Sequence, residues 1–121
     1  MKFDFDNVRP IYIQLVEQLE RYIISGQLKP GDKLPSVRDL ALASKTNPNT
    51  VQKALSELEE AKLIRTERTN GKFVSADAEL IASYQVKYAE SLSKKYLSDM
   101  TKLGITIDEA KDYLNRIGEN K

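Results

Sequence analysis

The stretch that most constrains the fold runs from Pro48 to Leu58, where the sequence has the pattern of an amphipathic helix. Val51, Leu55 and Leu58 recur at helical spacing, so they form one apolar stripe. Asn47 is a suitable N-cap, and Pro48 suits the first helical position, where an amide donor would be unpaired anyway. The pattern predicts a helix with one buried face and one polar face.

The polar face of this helix is rich in hydrogen-bonding side chains, most of them in the first two turns. They are Asn49, Thr50, Gln52, Lys53 and Ser56. Such side chains suit the DNA major groove, where base edges offer hydrogen-bond donors and acceptors. An ordinary surface helix also has a polar outer face, so the rest of the chain must decide between these interpretations.

The composition is typical of a globular protein and excludes several kinds of site. The 121 residues are 40% hydrophobic and 31% charged, and they include no cysteine and no histidine. Disulfides and thiolate metal sites are therefore excluded, and the commonest general base and metal ligand is missing. No apolar run approaches the roughly 18 residues of a membrane span, and the first residues lack the apolar core of a secretory signal. We expect no metal, no cofactor and no membrane partner, and a cytoplasmic location.

The charges are unevenly distributed although the net charge is only +1. Residues 29–56 contain five cations and two acids, and residues 62–72 contain four cations and one acid. Glu57, Glu59 and Glu60 lie between these two segments. A local basic surface on a neutral chain is compatible with DNA binding.

Two further helices are predicted before this one. Pro10 opens the first, whose buried face comprises Ile11, Leu15, Leu19, Tyr22 and Ile23, and Gly26 suits the left-handed residue after its end. The turn-rich segment 28–35 follows, and we expect its terminal leucines to anchor it to the core.

The second helix is predicted to start at Ser36, which with Asp39 approximates a capping box. Its short buried face consists of Val37, Leu40 and Ala41, with an extension at Leu42 or Ala43. A tight polar turn at residues 44–47 then leads into the amphipathic helix. This order is typical of a helix-turn-helix.

Two short β-capable runs, 63–67 and 72–75, flank the segment Arg68-Thr69-Asn70-Gly71. Asn-Gly predicts a hairpin because both residues tolerate positive φ. A helix, a helix-turn-helix and a hairpin in this order describe a winged helix. Arg68 and Lys72 flank the tip of the wing, where they suit phosphate or the minor groove; a structural β-ribbon with ordinary surface cations is the alternative.

From Ala76 the pattern changes to two amphipathic helices. The first is long, ends at Gly104 and carries an apolar stripe of Ile81, Tyr84, Tyr88, Leu92, Tyr96, Met100 and Leu103. The second begins with a capping box at Thr106 and Glu109, and its apolar face comprises Ile107, Ala110, Leu114 and Ile117. Two helices cannot bury a long stripe alone, so the stripe must pack on the first domain or on another chain. Tyrosines suit an interface because they bury a ring and keep a wet hydroxyl, although packing within the chain is the alternative.

Residues 10–75 resemble the winged-helix DNA-binding domain of GntR-family bacterial transcription regulators. The resemblance rests on blocks at residues 10–15, 25–41, 47–55, 63–64 and 71–74. The tail, whose helices are joined through residues 102–110, looks like that of the YtrA-like subfamily. The resemblance implies that the tail serves dimerisation and that there is no large effector-binding domain.

The resemblance also implies roles for particular residues. Arg38 matches a family arginine that contacts DNA, and Gly71 matches a wing-tip glycine that lets the backbone enter the minor groove. The predicted DNA-binding residues are Arg38, Asn47, Asn49, Thr50, Gln52, Lys53, Arg68, Gly71 and Lys72. The predicted dimerisation residues are Ile81, Tyr84, Tyr88, Leu92, Tyr96 and Leu114.

The sequence departs from the family pattern at three places. Lys62 stands where a glycine often precedes the wing, Thr69 replaces the first glycine of a Gly-x-Gly tip, and Lys45-Thr46 replaces the usual Gly-Val of the turn. We expect the wing to bend differently and the added lysines to offer further phosphate contacts.

The sequence therefore predicts a mainly α protein with a small β-hairpin: an N-terminal winged helix-turn-helix, residues 1–75, and a two-helix C-terminal dimerisation tail, residues 76–121. We expect a homodimeric repressor that binds double-stranded DNA at an inverted repeat; a small-molecule effector, if there is one, is unknown. One rival is a protein-interaction module that has lost DNA binding. The other is an enzyme, but Glu57, Glu59 and Glu60 fall on at least two faces of their helix.

Overall fold

The computed structural model describes residues 1–120, which form five helices and one two-stranded antiparallel sheet. The elements are α1 (Ile11–Ile24), α2 (Val37–Ser44), α3 (Pro48–Glu60), β1 (Ile64–Glu67), β2 (Gly71–Val74), α4 (Ala78–Lys102) and α5 (Ile107–Glu119). This confirms the predicted fold class. The chain divides into two compact units, Met1–Tyr84 and the residues from Gln85 onward. Among residues 1–120, no helix is both long enough and apolar enough to span a bilayer.

The first unit packs α1, α2 and α3 around one core, and the hairpin closes that core through Ile64 and Val74. The stripe predicted for α3 is confirmed, because Val51, Leu55 and Leu58 are each at most 1% exposed. Burying such side chains stabilises the fold by about 1.5–3 kcal/mol each.

Two predictions of burial were wrong. Ile11 is 37% exposed, and the buried face of α2 does not extend to Leu42 or Ala43, because Leu42 is 69% exposed and Ala43 is exposed as well. Two polar side chains are buried instead, Gln14 in α1 and Ser44 at the end of α2. Each has hydrogen-bond partners that offset the cost of burial.

An extended N-terminal segment, residues 1–6, lies along α1, and the chain bends at residues 7–9 before the helix begins. Gln14 and Gln18 each exchange hydrogen bonds with this segment, at the backbone of Asp6 and of Asp4, and the Tyr22 hydroxyl pairs with the backbone of Lys2. The three helical side chains are four residues apart, a rise of roughly 6 Å along α1. Their backbone partners are two residues apart in the extended segment, a rise of roughly 6.6 Å, so each side chain meets its partner. The alternate residues, Phe3 and Phe5, pack against the core.

Lys45 and Lys62, just past the ends of α2 and α3, adopt left-handed backbone conformations with φ of 55° and 64°. The amides of Thr46 and Leu63 then bond back to the helix carbonyls of Ala41 and Leu58 at 3.1 and 3.0 Å. Glycine usually occupies this position in such a helix end. Two of the three departures from the family pattern therefore keep the backbone geometry of a glycine.

The wing is a three-residue hairpin rather than an Asn-Gly two-residue turn. Glu67 pairs with Gly71 across the loop, and Gly71 has φ of 104° whereas Asn70 does not have a positive φ. The predicted hairpin is therefore confirmed, but of the two residues that tolerate a positive φ only Gly71 takes one. A three-residue loop followed by a glycine of positive φ is the next most common way to close a hairpin.

The second unit contains the rest of α4 and all of α5. Thr106 and Glu109 form the predicted capping box, and Ala110 is fully buried. The Tyr96 hydroxyl donates to the Ala110 carbonyl at 2.6 Å, which joins the two helices within one chain. Large apolar side chains remain exposed in this unit, namely Val86, Leu92, Leu103, Ile107, Tyr113, Leu114 and Ile117.

Candidate nucleic-acid interface

The helix-turn-helix is formed by α2, the three residues 45–47 and α3. The Ser36 hydroxyl accepts from the Asp39 amide at 3.0 Å, and Oδ1 of the Asn47 side chain accepts from the Asn49 amide at 2.7 Å. These caps fix where both helices begin. The positive end of each helix dipole lies at these starts, where it favours an anion such as a DNA phosphate.

Several predicted DNA-binding side chains are free to bind an external partner. Within residues 1–120, the side chains of Arg38, Asn49, Gln52 and Arg68 are exposed and form no hydrogen bond or ion pair. An unpaired guanidinium can bind phosphate or guanine in bidentate fashion, and the two amides match the edge of adenine. Thr50 is half-buried.

Lys53 is held by a residue that the sequence interpretation did not single out. Its ammonium lies 3.7 Å from the centroid of the Tyr12 ring, near the start of α1. A cation–π contact at an exposed site contributes about 0.5–1 kcal/mol. Tyr12 therefore restricts the orientation of Lys53 on α3. No local spacing rule connects the two residues, so the sequence did not predict this contact.

Lys72 is tied to the domain rather than free. Its ammonium donates to the Thr66 hydroxyl at 2.8 Å and lies 3.6 Å from Glu59 Oε1. The Thr66 hydroxyl also donates to the same Glu59 oxygen. This Glu59–Thr66–Lys72 network joins the hairpin to the end of α3, so it fixes the orientation of the wing.

The outer face of the wing has its own ion pair. Arg65 donates to Glu67 and lies over the Phe73 ring, 5.1 Å from its centroid. The hydrogen bond from Arg65, followed by the one from Asn70, lowers the pKa of Glu67 below its ordinary value. Glu67 therefore stays ionised and engaged by Arg65, and it leaves Arg68 at the tip of the wing unpaired.

The predicted dimerisation residues occupy different environments. Ile81 is 8% exposed in the core of the first unit, and Tyr84 packs against that core. Tyr88 is half-buried, and Tyr96 is engaged by Ala110. Leu92 is 65% and Leu114 is 53% exposed, and both line a shallow apolar groove of about 360 Å³ in the second unit. Of the six predicted residues, Leu92 and Leu114 are thus the two whose apolar side chains are exposed.

Comparison with known proteins agrees with this geometry. Residues 11–74, which hold α1 to the end of the wing, match the family described as bacterial regulatory proteins, gntR family. The chain belongs to the GntR family. The winged helix-turn-helix is therefore that of a DNA-binding transcriptional regulator.

Two GntR-family relatives from Bacillus subtilis (strain 168) match nearly the whole chain. The HTH-type transcriptional repressor YtrA is 37% identical over 89% of this chain and 84% of its own length. The uncharacterized HTH-type transcriptional regulator YhcF is 36% identical over 90% of each chain. The matches include the tail, which places the chain in the YtrA-like subfamily.

A solved GntR-family structure has the same fold. A GntR family transcriptional regulator from Listeria monocytogenes is 38% identical, with a TM-score of 0.86 over 93% of this chain and 98% of that one.

Proposed function

We propose that the chain is a sequence-specific transcriptional repressor that acts in the cytoplasm as a homodimer on an inverted-repeat operator. The observation that carries this proposal is the unpaired guanidinium of Arg38, together with the unpaired amides of Asn49 and Gln52. A repressor role is supported by the similarity to YtrA, which is named as a repressor.

In the proposed complex, α3 enters the major groove with its first two turns against the bases. Asn49 and Gln52 read base edges there, and Arg38 binds a phosphate or a guanine beside them. The wing tip, with Gly71 and Arg68, follows the DNA sugar-phosphate backbone into the adjacent minor groove. Direct contacts to base edges supply the specificity, and contacts to phosphates supply most of the affinity.

Dimerisation is proposed to proceed through the tail. Leu92 and Leu114 expose apolar surface that a second copy of the chain covers in an isologous contact. A two-fold axis then presents two recognition helices to successive major grooves, and the operator mirrors that symmetry.

Binding to the DNA upstream of the gene tests the DNA-binding proposal. In fluorescence anisotropy, the wild-type protein should bind this duplex more tightly than a scrambled duplex. Arg38→Ala should weaken binding by about 1–3 kcal/mol because one bidentate contact is lost. Arg21→Ala, which removes an exposed arginine from α1, is the matched control and should bind as the wild type does.

Equal binding by the Arg38 and Arg21 variants would contradict the assigned interface. The rival interaction module predicts that result, together with loss of function on substitution of Tyr84 or Tyr88.

The dimer is tested by light scattering coupled to size-exclusion chromatography. Leu92→Glu places a charge on the proposed contact surface and should shift the protein to a monomer. Ser91→Glu adds the same charge to the neighbouring exposed position of α4 and should leave the dimer intact. A monomeric wild-type protein at micromolar concentration would refute the proposed assembly.

A further inference from the structure

A third extended segment adds to the outer edge of the wing and brings Lys33 to its tip. Lys33 pairs with Phe73 in an antiparallel bridge, and the Leu34 amide donates to the Lys72 carbonyl at 2.8 Å. The Val74 amide donates in turn to the Asp32 carbonyl at 2.8 Å. This pairing fixes the backbone of Lys33 beside β2, although the two segments are distant in sequence.

The side chain of Lys33 lies against Gly71. A Cβ atom on residue 71 would stand 3.2 Å from Lys33 Cε and 3.9 Å from its Nζ. The missing side chain of Gly71 therefore leaves room for the lysine stem at the wing tip. The ammonium and the exposed backbone of Gly71 consequently lie at one place on the surface.

Lys33 also lines a groove, which we call the wing groove, of about 380 Å³ between residues 33–37 and residues 66–72. The acids near this groove are engaged: the Asp32 carboxylate accepts from the Lys29 amide at 2.8 Å, and Glu67 is held by Arg65. Lys33 is exposed and, in the described part of the chain, its ammonium has no hydrogen-bond or ion-pair partner. The groove is therefore positively charged at its rim.

We infer that Lys33 is a phosphate contact of the wing and that its ammonium and the Gly71 backbone bind the DNA backbone at the same point. Of the two cations that the sequence pattern places at the tip, Lys72 is already engaged by Thr66 and Glu59, whereas Arg68 is free. Lys33 supplies a second free charge in place of Lys72. This inference rests on the proposed DNA-binding function, because the phosphate is that of the operator.

The salt dependence of binding tests this inference. Lys33→Met removes the charge and keeps an unbranched stem beside Gly71, and Lys33→Arg keeps the charge. Each phosphate contact contributes about 0.9 to the slope of log Kobs against log salt concentration. Between 50 and 200 mM salt, Lys33→Met should therefore lower the slope by about 0.9 per bound protomer, and Lys33→Arg should restore it. Lys29→Met is the control, since Lys29 belongs to the same loop but does not line the wing groove.

Gly71→Ala provides a second, independent variant. At φ of 104° a Cβ strains the turn, and it also stands 3.2 Å from Lys33 Cε and displaces the lysine stem. Lys33→Met should therefore change the slope far less in the Gly71→Ala background than in the wild type. Additive effects on the slope would contradict a shared phosphate.

Two outcomes would overturn the inference. In the first, the slope of Lys33→Met equals that of the wild type, whether or not its affinity falls. In the second, Lys29→Met changes the slope as much as Lys33→Met does. Absence of any binding by the wild-type protein is a different result, because it would refute the proposed function itself.

Discussion

Lys45 should limit the stability of the protein while it contributes to DNA binding. It stands just past α2 with φ of 55° and ψ of 41°, a conformation that favours glycine. Its side chain is exposed in the turn that leads into α3. Replacing Lys45 with glycine should therefore raise the stability and lower the affinity for DNA.

The expected gain in stability of Lys45→Gly is the difference between two opposing contributions. A left-handed conformation costs a residue with a Cβ about 1–2 kcal/mol, and glycine relieves that cost. The greater conformational freedom of glycine in the unfolded chain lowers the free energy of unfolding by about 0.4–1 kcal/mol. The net gain is on the order of 0.5 kcal/mol, or about 2–4 °C in Tm for a unit of this size. Loss of one phosphate contact should lower the salt slope by about 0.9 per bound protomer.

Thermal unfolding followed by circular dichroism measures the first effect, at one fixed protein concentration because a dimer's Tm depends on it. Lys29→Gly is the control: residue 29 does not have a positive φ, so glycine there brings only added freedom and should lower the Tm. A fall in Tm for Lys45→Gly as large as that for Lys29→Gly would refute the reasoning about backbone strain.

Three further predictions concern the wing, the N-terminal segment and the tail. Glu59→Gln removes a negative charge and should nevertheless weaken DNA binding in an anisotropy titration, because the Glu59–Thr66–Lys72 network that holds the wing is lost. Glu60→Gln is the control and should leave DNA binding unchanged. Tighter binding by Glu59→Gln would contradict the role of the network. Gln14→Ala should lower the free energy of unfolding in urea by about 1–3 kcal/mol, since the hydrogen bonds between the buried Gln14 side chain and the backbone of Asp6 and Arg9 are lost, each worth about 0.5–1.5 kcal/mol. An unchanged midpoint would contradict this. Hydrogen bonds from the backbone and then the side chain of Thr106 lower the pKa of Glu109, so the stabilisation is present above the ordinary value of 4.5 and is lost as pH falls through the lower folded value. Glu109→Gln should therefore flatten the loss of helical signal below pH 4.5, and an unaltered acid titration would contradict that assignment.

The helix-turn-helix could be predicted from the sequence because it follows from local rules. Helical spacing predicted that Val51 and Leu55 lie in the core, and the residue type of Asn47 predicted the N-cap of α3. The structure has both features. The capping box at Thr106 was predicted correctly for the same reason. Each of these features depends on residues within four positions of one another.

Features that depend on distant pairs could not be predicted in this way. The bond between Gln18 and Asp4, the bridge between Lys33 and Phe73, and the ring of Tyr12 under Lys53 join residues far apart in sequence. The free or engaged state of a cation also depends on such pairs, which is why the sequence could not distinguish Lys72 from Lys33.

Footprinting of the wild-type protein on the DNA upstream of its gene tests the central claim most directly. A homodimer that reads an inverted repeat through α3 should protect two symmetrical half-sites whose centres lie about 10–10.5 base pairs apart or at a multiple of that spacing. Arg38→Ala should abolish both protected half-sites at the same protein concentration. Uniform protection without a symmetrical pattern, or an unchanged footprint for Arg38→Ala, would contradict sequence-specific binding through this face.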